Sequence, residues 1–165
     1  MARQVRVWPV IVPFVAAIAL EVIPLPELLQ PVRPPLPVLV LIYWVMMWPE
    51  RFGFAAAIIL GLCLDILHGQ LLGQNALVFA VITYLTLRFH LQIRIFPLWQ
   101  LTMTIFALLT IGALLQFLIE GIAGLSMTGF ARWSRVLSGT LLWPLVLGVM
   151  DKLRMQVEFR ESTFN

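Results

Sequence analysis

The run from Gly61 to Leu77, GLCLDILHGQLLGQNAL, sets an aspartate and a histidine inside an otherwise apolar stretch. Asp65 has no Lys or Arg within ten residues on either side. Glu21 and Glu120 stand at the ends of two other apolar runs. Acids so placed can pair with a base, cap backbone, dock a partner helix, or serve a substrate or proton path. The sets that would make an enzyme of them are missing. Ser126, Ser134, Ser138 and Ser162 carry no Gly-x-Ser-x-Gly elbow. There is no His-Glu-x-x-His zinc helix and no phosphate-cradling glycine loop. His68 reads as a helix-end cap or a local hydrogen bonder. Cys63 is the single cysteine, so a disulfide framework and a Cys-based metal site are both excluded. It reads as a small buried apolar residue. No catalytic group, metal or cofactor is expected.

The elements that hold these residues are set by composition. The chain has 165 residues, is 61% hydrophobic and 12% charged, and its mean hydropathy is +0.98. A soluble domain carries about 25% charged residues, because its surface must face water. Lipid is therefore the solvent for most of these side chains. The sequence pI near 9.8 does not mark a nucleic-acid binder, since the net charge is only +3 and forms no basic stripe.

A span needs about 20 apolar residues, with a range of roughly 17 to 25. Prolines and charges divide the chain into six runs, at about 7–23, 34–48, 52–67, 75–89, 97–120 and 133–150. The expected fold is an all-α integral membrane bundle of six transmembrane helices with short loops, a single domain. The second run is short unless its first turn includes Pro34 and Pro35, which suit a helix start. Arg3, Arg6 and the later Ala17-Ile18-Ala19 resemble a cleavable signal, but Pro9 and Pro13 interrupt its apolar centre and the run continues past the site. An even number of spans puts both termini on one side. That side receives Arg3, Arg6, Arg51, Arg88, Arg94, Lys152, Arg154 and Arg160, against Arg33, Arg132 and Arg135 on the other. Eight against three predicts cytoplasmic termini. Trp8 and Trp48 fit interfacial aromatic belts.

With this topology Asp65 lies about 20 Å along its helix, in the outer half of the bilayer. Glu21, Asp65 and Glu120 then share one depth, and Arg132 and Arg135 join them in an outer polar cluster. Gly53, Ala57, Gly61, Asp65 and Gly69 recur at every fourth residue, as do Gly112, Gln116, Glu120 and Gly124. Such rows let helices approach closely in lipid. They serve either internal packing or a partner helix, and the first row is expected to include a partner-facing surface.

One block resembles a known family. RPPLPVLVLIYWVMMWPERFGFAAAIILGLCLDILHGQLLGQNALVFAVITYL, Arg33 to Leu85, is similar to the rod shape-determining protein MreD family. The marks are Arg33-Pro34, Tyr43-Trp44, Pro49, Gly61 with Asp65, Gly69 with Gly73, and Asn75-Ala76-Leu77, with Leu142-Trp143-Pro144 in the last run. His68 stands where many relatives carry a small Ser. The resemblance implies an inner-membrane scaffold of the cell-elongation machinery that associates with MreC. With MreB, RodA and a penicillin-binding transpeptidase it supports lateral peptidoglycan synthesis. Arg33, Gly53, Ala57, Gly61, Asp65, Gly69, Gly73 and Asn75 are then its candidates for helix packing or partner contact. A small helical bundle with polar groups at its outer end also looks like the substrate-capture subunit of an energy-coupling-factor vitamin transporter.

Overall fold

The computed structural model describes residues 8–24, 26, 30–50, 53–124 and 129–163, with side chains from residue 11 to 155 apart from 130 and 131. The described residues are helical, without strands. Helices α1 (Trp8–Val22), α2 (Leu36–Met47), α3 (Phe54–His68), α4 (Gln74–Ile95), α5 (Leu98–Ile122) and α6 (Gly129–Thr163) follow in order, with a 3-10 turn at Gln30–Val32. The expected starts at Val7 and Phe52, and the topology residues Arg3, Arg6 and Arg51, lie outside the described residues.

The second run is the centre of the bundle. α2 is apolar on every side, and every residue from Pro37 to Met46 is buried. A helix with no polar face must be surrounded, and α1, α4 and α6 surround this one. At about 1.5 Å per residue its 12 residues span about 18 Å, short of a hydrocarbon core of about 30 Å. Protein rather than lipid meets its flanks, so its length need not match the membrane. α3 packs on α4, and α5 lies between α4 and α6. Trp143 of α6 is buried in the same core.

Expected spans and observed helices differ in length. Among the described residues, three helical stretches are long and apolar enough to cross a membrane: Gln74–Ile95, Leu98–Ile122 and Arg132–Met155. Ile11–Val22 and Phe54–His68 are apolar but shorter. α4 runs six residues past the expected Phe89, and α6 begins at Gly129 and ends at Thr163 instead of running 133–150. The α4 extension carries Gln92 and Arg94, and the α6 extension carries Lys152, Arg154, Gln156 and Glu158, so hydropathy ends there while helix propensity continues.

One placement differs from expectation for a simple reason. Cys63 is exposed. It lies two residues from Gly61, about 200° around the helix from the packed row. Trp48 is the C-cap of α2, and its ring lies 4.9 Å from that of Trp44.

At the end of the bundle away from Asp65, the Tyr43 hydroxyl donates to Asp151 Oδ1 at 2.6 Å, and Arg154 Nη1 lies 2.9 Å from Met47 Sδ. These contacts tie α2 to the charged continuation of α6. A buried tyrosine hydroxyl needs such a partner, and Asp151 supplies it.

Candidate functional site

Asp65 is fully buried, and its carboxylate is occupied by the start of the next helix. Oδ2 accepts the amide of Gly73 at 2.8 Å, and Oδ1 accepts the amide of Asn75 at 2.9 Å. The first amides of a helix have no partner within it, and a carboxylate there also meets the favourable end of the helix dipole. Asp65 therefore caps α4 from α3. The turn between them suits this role. Gly69 ends α3 at φ 60°, where its amide and that of Gln70 return to the carbonyls of Ile66 and Asp65. Gly73 precedes α4 at φ 96°, a backbone that glycine adopts without penalty.

The small-residue row explains how the carboxylate gets so close. A Cβ added to Gly61 would lie 2.3 Å from Ala76 Cα and 2.4 Å from its nitrogen. Backbone meets backbone there. Ala57, Gly61 and Asp65 are buried, so the expected partner-facing surface is corrected at these positions: α4 already covers them. Gly53 and Gly69 stand outside the contact, with nothing within 4 Å of an added Cβ. In the second row only Gly112 is packed by neighbours, against Ile82 and Val78 of α4, while Gly124 is a left-handed turn residue.

From the Asp65 cap a polar chain crosses the bundle. Asn75 donates to Gln70 Oε1 at 3.0 Å and accepts from Gln116 of α5 at 2.9 Å. Gln74 donates to Glu120 Oε1 at 3.2 Å. Glu120 Oε2 pairs with Arg132 of α6, whose guanidinium also lies over the Phe117 ring at 5.7 Å. Of the expected outer cluster, Asp65, Glu120 and Arg132 thus belong to a network joining α3, α4, α5 and α6, while Glu21 and Arg135 line the cavity beside it. Such networks hold a bundle in one arrangement when their members find partners.

Arg33, a candidate for helix packing or partner contact, ties down the end of α1. It pairs with no acid among the described residues, and instead its Nη2 donates to the carbonyls of Leu20 and Ile23, capping the C-terminal end of α1. Ser134 of α6 donates to the Pro31 carbonyl, which holds the 3-10 turn against α6. Glu21 is buried on α1, near Arg135, His68 and Arg33. The sequence reading missed Gln70 and Gln74, because uncharged amides carry no burial signal of their own.

A cavity of about 390 Å³ lies at this end of the bundle. Glu21, His68, Gln70, Gln116, Glu120 and Arg135 line its polar part, and Val78, Phe79, Ile82 and Leu109 its apolar part. The row of small residues and the cap build the wall that α4 contributes.

Comparison with known proteins gives the same direction. The family model for the rod shape-determining protein MreD matches residues 1–156. Rod shape-determining protein MreD of Haemophilus influenzae is 35% identical over 149 residues, which cover 88% of this chain and 90% of that protein. No solved structure matches. The apolar helices, the Asp65 cap within Gly61-x-x-x-Asp65, and a match across nearly the whole chain converge: the chain belongs to the MreD family of rod shape-determining membrane proteins.

Proposed function

We propose that the chain is a non-enzymatic inner-membrane scaffold that helps set rod shape by organising lateral peptidoglycan synthesis with MreC and MreB. Membership of the shape-determining family is the observation that carries this reading. The hydrogen bonds support it. The polar residues of four helices are largely spent on one another, which suits a body that presents a fixed surface. Direct association with MreC, and a larger complex with RodA and a penicillin-binding transpeptidase, belong to the same proposal.

The test is co-purification. The full chain carrying an affinity tag, extracted in mild detergent, is expected to bring down MreC, and cells depleted of the chain are expected to round up. Rods that persist on depletion, with no MreC recovered, would overturn the scaffold. Recovery of a nucleotide-hydrolysing coupling module with a retained vitamin would replace it with substrate capture, to which the cavity lends weight.

Six membrane passes with both termini in the cytoplasm belong to the proposal as well. The described charges support it: Arg33, Arg132 and Arg135 stand at the Asp65 end, against Arg88, Arg94, Lys152 and Arg154 toward the other. By the excess of positive charge, the Asp65 end faces the periplasm. Reporter fusions after Asn165 and at Pro97 are expected to read cytoplasmic, and fusions between Gly69 and Gln74 periplasmic. A periplasmic reading at Asn165 would overturn the even count.

A further inference from the structure

We propose that the cavity at the Asp65 end binds a membrane phospholipid by its headgroup, one that carries a phosphate and an ammonium with N–H donors. Two buried polar groups on its wall point to this. Glu21 of α1 is 7% exposed and lines the cavity, and its Oε2 has no hydrogen-bond partner among the described residues. Arg132 of α6 also lines it, with a side chain 10% exposed. Its Nη2 is engaged by Glu120, but its Nη1 has no acceptor among the described residues. Buried polar groups are satisfied in nearly all proteins, so each calls for a ligand atom.

The two groups ask for opposite things. Arg132 and Arg135 stand one turn apart near the start of α6, where charge and helix dipole both favour an anion. Glu21 asks for a donor, and no hydrogen bond from Arg135, His68 or Arg33 reaches its Oε2. A simple anion leaves Glu21 unmet, and a simple cation leaves Arg132 unmet. A phosphate and an ammonium a few bonds apart satisfy both.

Access and shape favour a lipid over a water-soluble zwitterion. Leu20 and Val22 flank Glu21, Trp133 and Leu137 flank the arginines, and all four are exposed. These four stand outside the cavity lining, on the helix surface beside it, where the acyl chains of a bound lipid would run. Beneath the polar part, Val78, Phe79, Ile82 and Leu109 provide an apolar floor. About 390 Å³ is at the lower end of the range for ligand pockets, roughly 300 to 1,000 Å³. It accommodates a headgroup and the first part of an acyl chain, with the rest in the bilayer. None of this depends on the protein partners proposed above.

The test is native mass spectrometry of the full chain in detergent, offered equal amounts of phosphatidylethanolamine and phosphatidylcholine. The two share a phosphate, but the choline nitrogen has no N–H. Phosphatidylethanolamine is expected to be retained about tenfold better, the scale of one charge-assisted hydrogen bond. Glu21→Gln is expected to reduce that preference to about twofold or less, by the same loss. Arg135→Gln, at an exposed position, should weaken both lipids by a similar factor and leave the preference intact. It carries the phosphate arm if Glu21→Gln fails to fold, as read by its melting temperature. Equal retention of the two lipids by the wild type, or binding by Arg135→Gln as strong as wild type, would overturn the proposal. A retained soluble zwitterion that neither lipid displaces would overturn the lipid assignment.

Discussion

Gly61→Leu is expected to remove most folded protein from the membrane. The first added atom would lie 2.3 Å from Ala76 Cα and 2.8 Å from the Asn75 carbonyl carbon, and these are backbone atoms with no rotamer to yield. They are also held from behind, because Asp65 grips the Asn75 amide. Overpacking typically costs about 1 to 3 kcal/mol, and a backbone clash belongs at the upper end. About 3 kcal/mol lowers the ratio of folded to unfolded protein by about 100-fold. For a chain of this size it lowers the melting temperature by about 6 to 12 °C. Gly61→Ala should show much of the same loss, since the clash begins at Cβ. Gly53→Ala is the control, with open space around the added carbon, and it should melt within a degree or two of wild type. If α4 did not sit on this row, Gly61→Ala and Gly53→Ala would behave alike. The same experiment bears on partner contact. MreC recovered per cell should fall with the level of the Gly61 variant, while MreC recovered per surviving chain should hold.

Much of the fold was legible in the sequence because a membrane bundle is written in long apolar runs and their interruptions. The helix order, the tight Gly69–Gly73 turn and the grouping of Glu21, Glu120, Arg132 and Arg135 at one end all follow from those runs. Helix lengths were less legible. Hydropathy marks where lipid ends, but α6 continues through Asp151 and Lys152 because helix propensity does not end with it. The central place of α2 was open to inference from its lack of any polar face, and its shortness drew attention instead.

The candidate site was legible in its members and much less in its wiring. Asp65 was conspicuous because it is charged, but its ligands are backbone amides, which leave no trace in residue types. Arg33 was a candidate for helix packing or partner contact, and the carbonyls it bonds leave no trace in residue types either. Tyr43 and Asp151 are 108 residues apart, and no local pattern connects them. Small residues at intervals of four show that something comes close. They do not show whether it is α4 or another protein.

Asp65→Leu is the sharpest probe of that distinction. Leucine keeps apolar bulk but withdraws both acceptors, leaving the part-buried Gly73 amide and the buried Asn75 amide without their caps. Loss of a helix cap costs about 0.5 to 2 kcal/mol, and a buried amide left unsatisfied costs about 1 to 3 kcal/mol. A combined loss of about 3 to 4 kcal/mol is expected, seen as a lower membrane level and melting temperature. Asp65→Asn should fall about halfway, since one carbonyl oxygen can still accept one amide while the NH₂ group faces the other donor. The damage should spread along the network, because Asn75 is placed by its Asp65 bond and in turn holds Gln70 and Gln116. If Asp65 is purely the α4 cap, cell shape should follow protein level, and raising expression of Asp65→Asn should restore rods. If Asp65 also meets a partner, the Asn variant should reach wild-type abundance and still leave cells round. An Asp65→Leu protein that is as abundant and heat-stable as wild type would defeat the cap itself, because two helix-start amides, one of them buried, cannot lose a shared carboxylate without a fall in stability.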